Sequence, residues 1–160
     1  MKLATTVTLL SFAALLGGCG AHSLVPGQST EADVRTSLGA PNDTRAEANG
    51  DKLWEYATGP EGFTTRRVRI GADGRVKEVS QLLTEEQFAQ IVPGQTTRTQ
   101  VRSLLGRPAD ETVYRSGPTW SWRFLGATAH PGFMVVSFNP NDTVRDKIII
   151  LDQYGDSHDE

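Results

Sequence analysis

The side chains able to do chemistry are few and scattered in this chain of 160 residues. A single cysteine, Cys19, leaves no internal disulfide and one nucleophilic thiol. The three histidines, His22, His130 and His158, stand far apart, without the close spacing by which a helix or hairpin brings imidazoles onto one zinc ion. Two acidic pairs, Glu85-Glu86 and Asp110-Glu111, are sequence neighbours, and neighbours on a helix or strand point apart, so neither makes a two-carboxylate acid–base site. Glu85-Glu86 instead suits the positive end of a helix. There is no glycine-rich phosphate loop and no nucleophile motif. These residue types predict no metal, no cofactor, no small-molecule substrate and no catalysis. The basic residues form no stripe in a chain of net charge −3, which argues against nucleic acid as a partner.

The chemistry of Cys19 depends on what precedes it. Lys2 supplies positive charge, and Leu3 to Leu16 follow without a charged residue, the pattern of a secretory signal. As a helix that run would be about 21 Å long, at about 1.5 Å per residue, short of a hydrocarbon core of roughly 30 Å. It ends in Leu15-Leu16-Gly17-Gly18-Cys19, which resembles the lipobox of bacterial lipoproteins. That resemblance implies cleavage before Cys19, acylation of its thiol and new amino group, and, from Gly20 rather than an aspartate at the next position, sorting to the outer membrane. At about 0.8 kcal/mol per buried methylene, several acyl chains hold a protein on a bilayer. Residues 1–18 are thus expected to be a signal peptide and 19–24 a lipidated tether facing the periplasm.

The elements beyond the tether are written twice. Val25-Pro26-Gly27-Gln28-Ser29-Thr30 returns as Val92-Pro93-Gly94-Gln95-Thr96-Thr97, and at this offset of 67 Val34, Arg35, Leu38, Gly39 and Pro41 reappear as Val101, Arg102, Leu105, Gly106 and Pro108. One residue further out of step, Trp54-Glu55-Tyr56 meets Trp122-Arg123-Phe124, and Val68, Ile70 and Val76 meet Val136, Phe138 and Val144. Thr30 and Thr97 are helix N-caps, with Gln100 completing a capping box for Thr97 and Asp33 a poorer one for Thr30. Val34 and Leu38, like Val101 and Leu105, lie four apart on one helical face. Gly39 and Gly106 stand where a left-handed C-cap is wanted, and Pro41 and Pro108 prevent continuation. Before the second copy, Thr84 and Gln87 predict a further capped helix, with Leu83 stapled to Phe88. The first copy has no counterpart to it, and is either truncated or covered by its partner.

Three strand-like runs follow each helix: 53–57, 63–70 and 75–80, then 119–125, 133–138 and 144–151, separated by Gly, Pro, Asn and Asp turns. The expected fold is α+β, two tandem units of helix plus three-stranded antiparallel sheet, the first lacking its leading helix. Repeat 1 spans 25–81 and repeat 2 spans 82–152, with an acidic tail at 153–160. Trp54 with Tyr56, and Trp120 with Trp122 and Phe124, are expected beneath the helices.

The lipobox, the G-x-[ST]-x-x-x-V-x-x-x-L-G-x-P helix and the W-x-[YF] strand resemble the small outer-membrane lipoproteins called BamE, SmpA or OmlA. The resemblance runs through Gly27 to Tyr56 and Gly94 to Phe124, and more loosely through the hairpins. It implies a non-enzymatic, lipid-anchored outer-membrane protein that serves envelope or β-barrel protein assembly by contact with β-barrel assembly machinery proteins. Family members usually carry one unit, so the duplication is a departure. The alternative is an inhibitor or ligand-binding module, since secreted β-lactamase inhibitors are similar tandem repeats, although usually disulfide-bonded.

Four residues mark a candidate partner or interdomain surface. Arg67 and Arg69 alternate with Val68 and Ile70, which turns one face of that strand to the helices and the charged face to water. In the corresponding run 133–138 both faces are apolar, so Phe133 and Val135 need cover, from repeat 1 or from another protein.

Overall fold

A computed structural model describes residues 23–58 and 62–151. The chain runs α1 (Glu31–Leu38), β1 (Asp43–Ala46), β2 (Lys52–Ala57), β3 (Thr65–Ile70), β4 (Val76–Gln81), α2 (Glu85–Ala89), α3 (Arg98–Leu105), β5 (Asp110–Tyr114), β6 (Gly117–Leu125), β7 (Pro131–Phe138) and β8 (Val144–Leu151). Every strand pairs antiparallel with its sequence neighbour within two sheets, β1-β2-β3-β4 and β5-β6-β7-β8. The fold is α+β, as expected, but each sheet has four strands where three were expected. The extra strands, β1 and β5, follow the helix-stopping prolines and lie along the free edges of β2 and β6.

The capped helices form for the reasons written in the sequence. Thr30 and Thr97 each accept from the amide three residues on, and Asp33 and Gln100 each return a bond to the cap amide. Thr84 accepts from the Gln87 amide, but the Gln87 side chain does not reach back to it; Gln87 Oε1 accepts instead from Gln90 Nε2 at 3.1 Å. Gly39 and Gly106 end α1 and α3 at φ 79° and 75°, yet their ψ values of −153° and −167° are extended rather than left-handed helical. That geometry swings the chain out of the helix toward Pro41 or Pro108 and into the edge strand.

Each unit has its own core. In the second, Phe88, Ile91, Val101 and Leu105 from the helical side meet Trp122, Phe124, Met134, Val136 and Phe138. Phe88 meets Phe124 edge to face, the ring centroids 4.9 Å apart. The first core is smaller: Val34 packs on Trp54, Tyr56, Val68, Ile70 and Val76. Among the described residues the first unit has a single helix, and Leu24, 67 residues before Ile91, lies half-buried against this core.

The units stack as alternating layers: α1, the first sheet, α2 with α3, then the second sheet. Val101 and Leu105 turn one face of α3 to the second sheet, while Arg102 reaches back to Asp43 and Glu55 on the first. Strand β2 is consequently buried on both sides, with Leu53 and Glu55 covered on the face opposite Trp54 and Tyr56. This corrects the expectation that the face of β3 carrying Arg67 and Arg69 is turned to water: α3 and the segment leading into α2 lie against it.

Candidate functional site

Glu55 is the polar centre of the junction. Its side chain is 3% exposed, and its carboxylate takes bonds from three guanidinium groups: Arg45, Arg67 at 2.6 Å, and Arg102 Nη1 at 3.0 Å. Arg45 and Arg67 come from β1 and β3, the two strands flanking Glu55 in the first sheet. Arg102 comes from α3 of the second unit and also binds Asp43. Burial alone would push the Glu55 carboxyl upward, but hydrogen bonds from Arg67 and Arg102, with the attraction of Arg67 and Arg45, outweigh it and hold the group below its ordinary value. A carboxylate paired in this way positions the elements that carry its arginines.

Arg69 lies two residues along β3, tied to Glu47 and, at 3.7 Å, to Glu78. A cleft of about 500 Å³ opens beside the junction between Asn42, Thr64, Leu83, Arg107, Asp110 and Arg123. It mixes both signs of charge with apolar lining, and Asp43 and Glu55 of the junction form part of its wall.

The open face of the second sheet is different in kind. Phe133 is 39% exposed and Val135 half-buried, and the neighbouring strand adds Ile148 and Ile150 directly opposite them. The first unit reaches only the margin of this face: Phe63, in the β2–β3 connection, lies under the Arg123 guanidinium at 4.8 Å, and Phe133 lies 5.6 Å from the same group. Sequence reasoning therefore picked out two residues at the junction, Arg67 and Arg69, and two on the open face, Phe133 and Val135. It missed Glu55, Arg102, Ile148 and Ile150. The continuous apolar run Ile148 to Leu151 reads in sequence as a central strand or one covered on both sides, but β8 is an edge strand and these four residues are about half exposed.

His130 is exposed, its Nδ1 within 2.8 Å of Thr128 Oγ1. Cys19, His22, His158, the signal segment, most of the tether and the acidic tail lie outside the described residues. Among the described residues no group of three or more His, Cys, Asp or Glu side chains is placed to hold a metal ion, and no helix is long and apolar enough to cross a membrane.

No curated protein and no solved structure matches the chain. A family model does, over residues 81–147, from the end of β4 into β8, and it is described as the outer membrane protein assembly factor BamE domain. The matched stretch holds the capped helices, the Leu-Gly-x-Pro stop and the aromatic strand in the order set out above. Residues 81–147, most of the second unit, are thus similar to the BamE domain family.

Proposed function

We propose that this protein is a lipid-anchored, periplasm-facing protein of the outer membrane in which two BamE-like units serve envelope or β-barrel protein assembly by contact and without catalysis. The observation that carries the reading is the family match of the second unit, whose sheet leaves Phe133, Ile148 and Ile150 exposed beside a half-buried Val135. Contiguous apolar surface of this sort is characteristic of a protein-contact site. The Glu55 junction ties α3, and with it the second unit, to the first sheet.

The assembly role is tested with a photo-crosslinking side chain at Phe133 in cells, combined with deletion of the protein. The expected results are an adduct with a β-barrel assembly subunit and a fall in the heat-modifiable, folded fraction of outer-membrane barrels. Normal barrel folding in the deletion, with no such adduct, removes the role and leaves the fold untouched.

Anchoring is tested separately. Cys19→Ser is expected to move the protein from the membrane pellet to the soluble fraction, because one residue carries all the acyl chains. Membrane retention at the unsubstituted level would rule out acyl anchoring.

A further inference from the structure

Among the described residues the first unit has no helix in the place that α2 takes in the second. Strand pairing sets the correspondence between the units: Trp54 stands opposite Val68 and Tyr56 opposite Arg66, as Trp120 stands opposite Val136 and Trp122 opposite Met134. The helix ends agree, since Tyr56 Oη donates to the Gly39 carbonyl and Trp122 Nε1 to the Gly106 carbonyl, both at 3.4 Å. In space β6 is therefore two residues out of step with the sequence repeat. Two residues beyond Trp122, the Phe124 ring lies over Gly132, and Phe88 of α2 packs on that ring edge to face. Phe88, Leu105, Phe124 and Met134 are each at most 1% exposed.

The first unit lacks this filling. Thr58 stands in the place of Phe124, Thr64 in that of Gly132 and Arg66 in that of Met134, while Phe88 falls in the repeat on Ala21, outside the described residues. What remains is a pocket of about 360 Å³, with Leu38, Ala40 and Tyr56 on its apolar side and Thr58, Thr64 and Arg66 on its polar side. Leu38 is half-buried where Leu105 is wholly buried, and Arg66 is exposed and has no carboxylate partner among the described residues.

We propose that this pocket is the docking site for a short helix of another protein, carrying an aromatic side chain and, about one turn from it, a carboxylate. The second unit is the template, because the same place there is filled by an aromatic ring on a helix. Leu38 and Tyr56 give such a ring an apolar seat, and a helix laid in a groove presents its anchors three or four residues apart. The charge selects the rest: an arginine where the second unit has a buried methionine attracts an acidic group to the pocket wall. Leu24 already packs on the first core as Ile91 does on the second, so one aromatic anchor suffices. The chain's own residues 19–23, Cys-Gly-Ala-His-Ser, hold neither an acid nor a phenyl ring and do not meet this description. The inference concerns the first unit and is independent of the assembly role and of lipid anchoring.

Amide NMR of the whole chain carrying Cys19→Ser, titrated with an end-capped peptide of residues 81–90, tests the idea. This α2 sequence sets Glu85 three residues before Phe88. The expected result is saturable shifts centred on Leu38, Tyr56 and Arg66. Phe88→Ala in the peptide is expected to weaken binding by about tenfold or more, the cost of an unburied ring. Glu85→Gln with Glu86→Gln in the peptide is expected to weaken it by about threefold, as for a half-exposed ion pair, and Arg66→Met in the protein to erase that difference. Thr58→Phe restores the ring of the second unit and is expected to close the pocket to the peptide without lowering the thermal melt. Absence of saturable shifts overturns the proposal, as do shifts that survive Thr58→Phe. Equal affinity for the acidic and neutral peptides overturns the choice of an acidic partner. Binding that appears only after removal of residues 153–160, which include Tyr154 and three acids, would give the pocket to the chain's own tail instead.

Discussion

Glu55→Ala is expected to lower the unfolding free energy by about 3–5 kcal/mol, the cost of removing one partner from a buried ion cluster and leaving the others uncompensated. Three guanidinium groups converge on this carboxylate, and Arg67 keeps only 14% of its side chain exposed. They come from both units, so the substitution acts on the junction as well as on the first sheet. Glu55→Gln keeps the shape and loses the charge, and should cost less than alanine but still be measurable. Acid acts in the same direction. Because the folded carboxyl lies below its ordinary value of 4.5, the stability it contributes is full above that value and is lost as the pH falls through the folded one. Urea titrations near neutrality and at about pH 3 are expected to show a steeper loss in the unsubstituted protein than in Glu55→Gln. Equal stability of Glu55→Ala and the unsubstituted chain near neutrality would mean that the cluster is solvated, where exposed pairs contribute only about 0–1 kcal/mol.

The same cluster marks where sequence reading stops. The capped helices, six strands and the aromatic core follow from local patterns, since caps, turn residues and alternation are each written within a few positions. β1 and β5 were not legible because Asp43-Thr44-Arg45-Ala46 and Asp110-Glu111-Thr112 have no apolar alternation; they are strands because β2 and β6 offer edges to pair with. Glu55 read as the unremarkable middle letter of Trp-x-Tyr, and Arg102 as the repeat of Arg35. Yet Arg35 lies on the outside of the stack, over the Trp54 ring with 55% of its side chain exposed, whereas Arg102 is at 24% and bound to two carboxylates. Two identical letters in a repeat acquire different roles because only one copy has a sheet behind it.

One trace of this was present in the strands. On the face away from Trp54, β2 carries Leu53 and Glu55, while β6 carries Ser121 and Arg123 at the matching positions. A leucine opposite a tryptophan on adjacent positions signals a strand covered on both sides, and a serine there signals a face left open. The apolar character of the second sheet's open face lies instead on β7 and β8, where the counterparts of Arg67 and Arg69 fall in an uncharged run. Stacking thus converts a charged face into the buried junction and leaves the apolar face outermost, the reverse of what burial alone would arrange. That inversion is why the contact surface we propose falls on the second sheet.

The two helix-ending glycines allow the junction to be weighed by itself. Gly39 and Gly106 hold nearly the same backbone, with positive φ and extended ψ, a region essentially restricted to glycine. Alanine at either position therefore carries the same strain, about 1–3 kcal/mol. Their surroundings differ. A Cβ at Gly39 meets nothing within 4 Å, while one at Gly106 would lie 3.0 Å from Thr65 Cγ2, 3.1 Å from Glu55 Oε2 and 3.2 Å from Leu82 Cδ1. Glu55 cannot withdraw without loosening its arginines, so Gly106→Ala is expected to cost a further 1–3 kcal/mol or about that, the usual penalty of overpacking. At about 2–4 °C per kcal/mol for a chain of this size, Gly106→Ala should melt several degrees below Gly39→Ala. Combined with Glu55→Ala the excess should shrink, because one of the three atoms the new methyl would press against is gone, and the double-mutant cycle would be non-additive. Equal melting losses for the two glycine variants would mean that the units do not press together at the end of α3, and the layered stack would have to be given up.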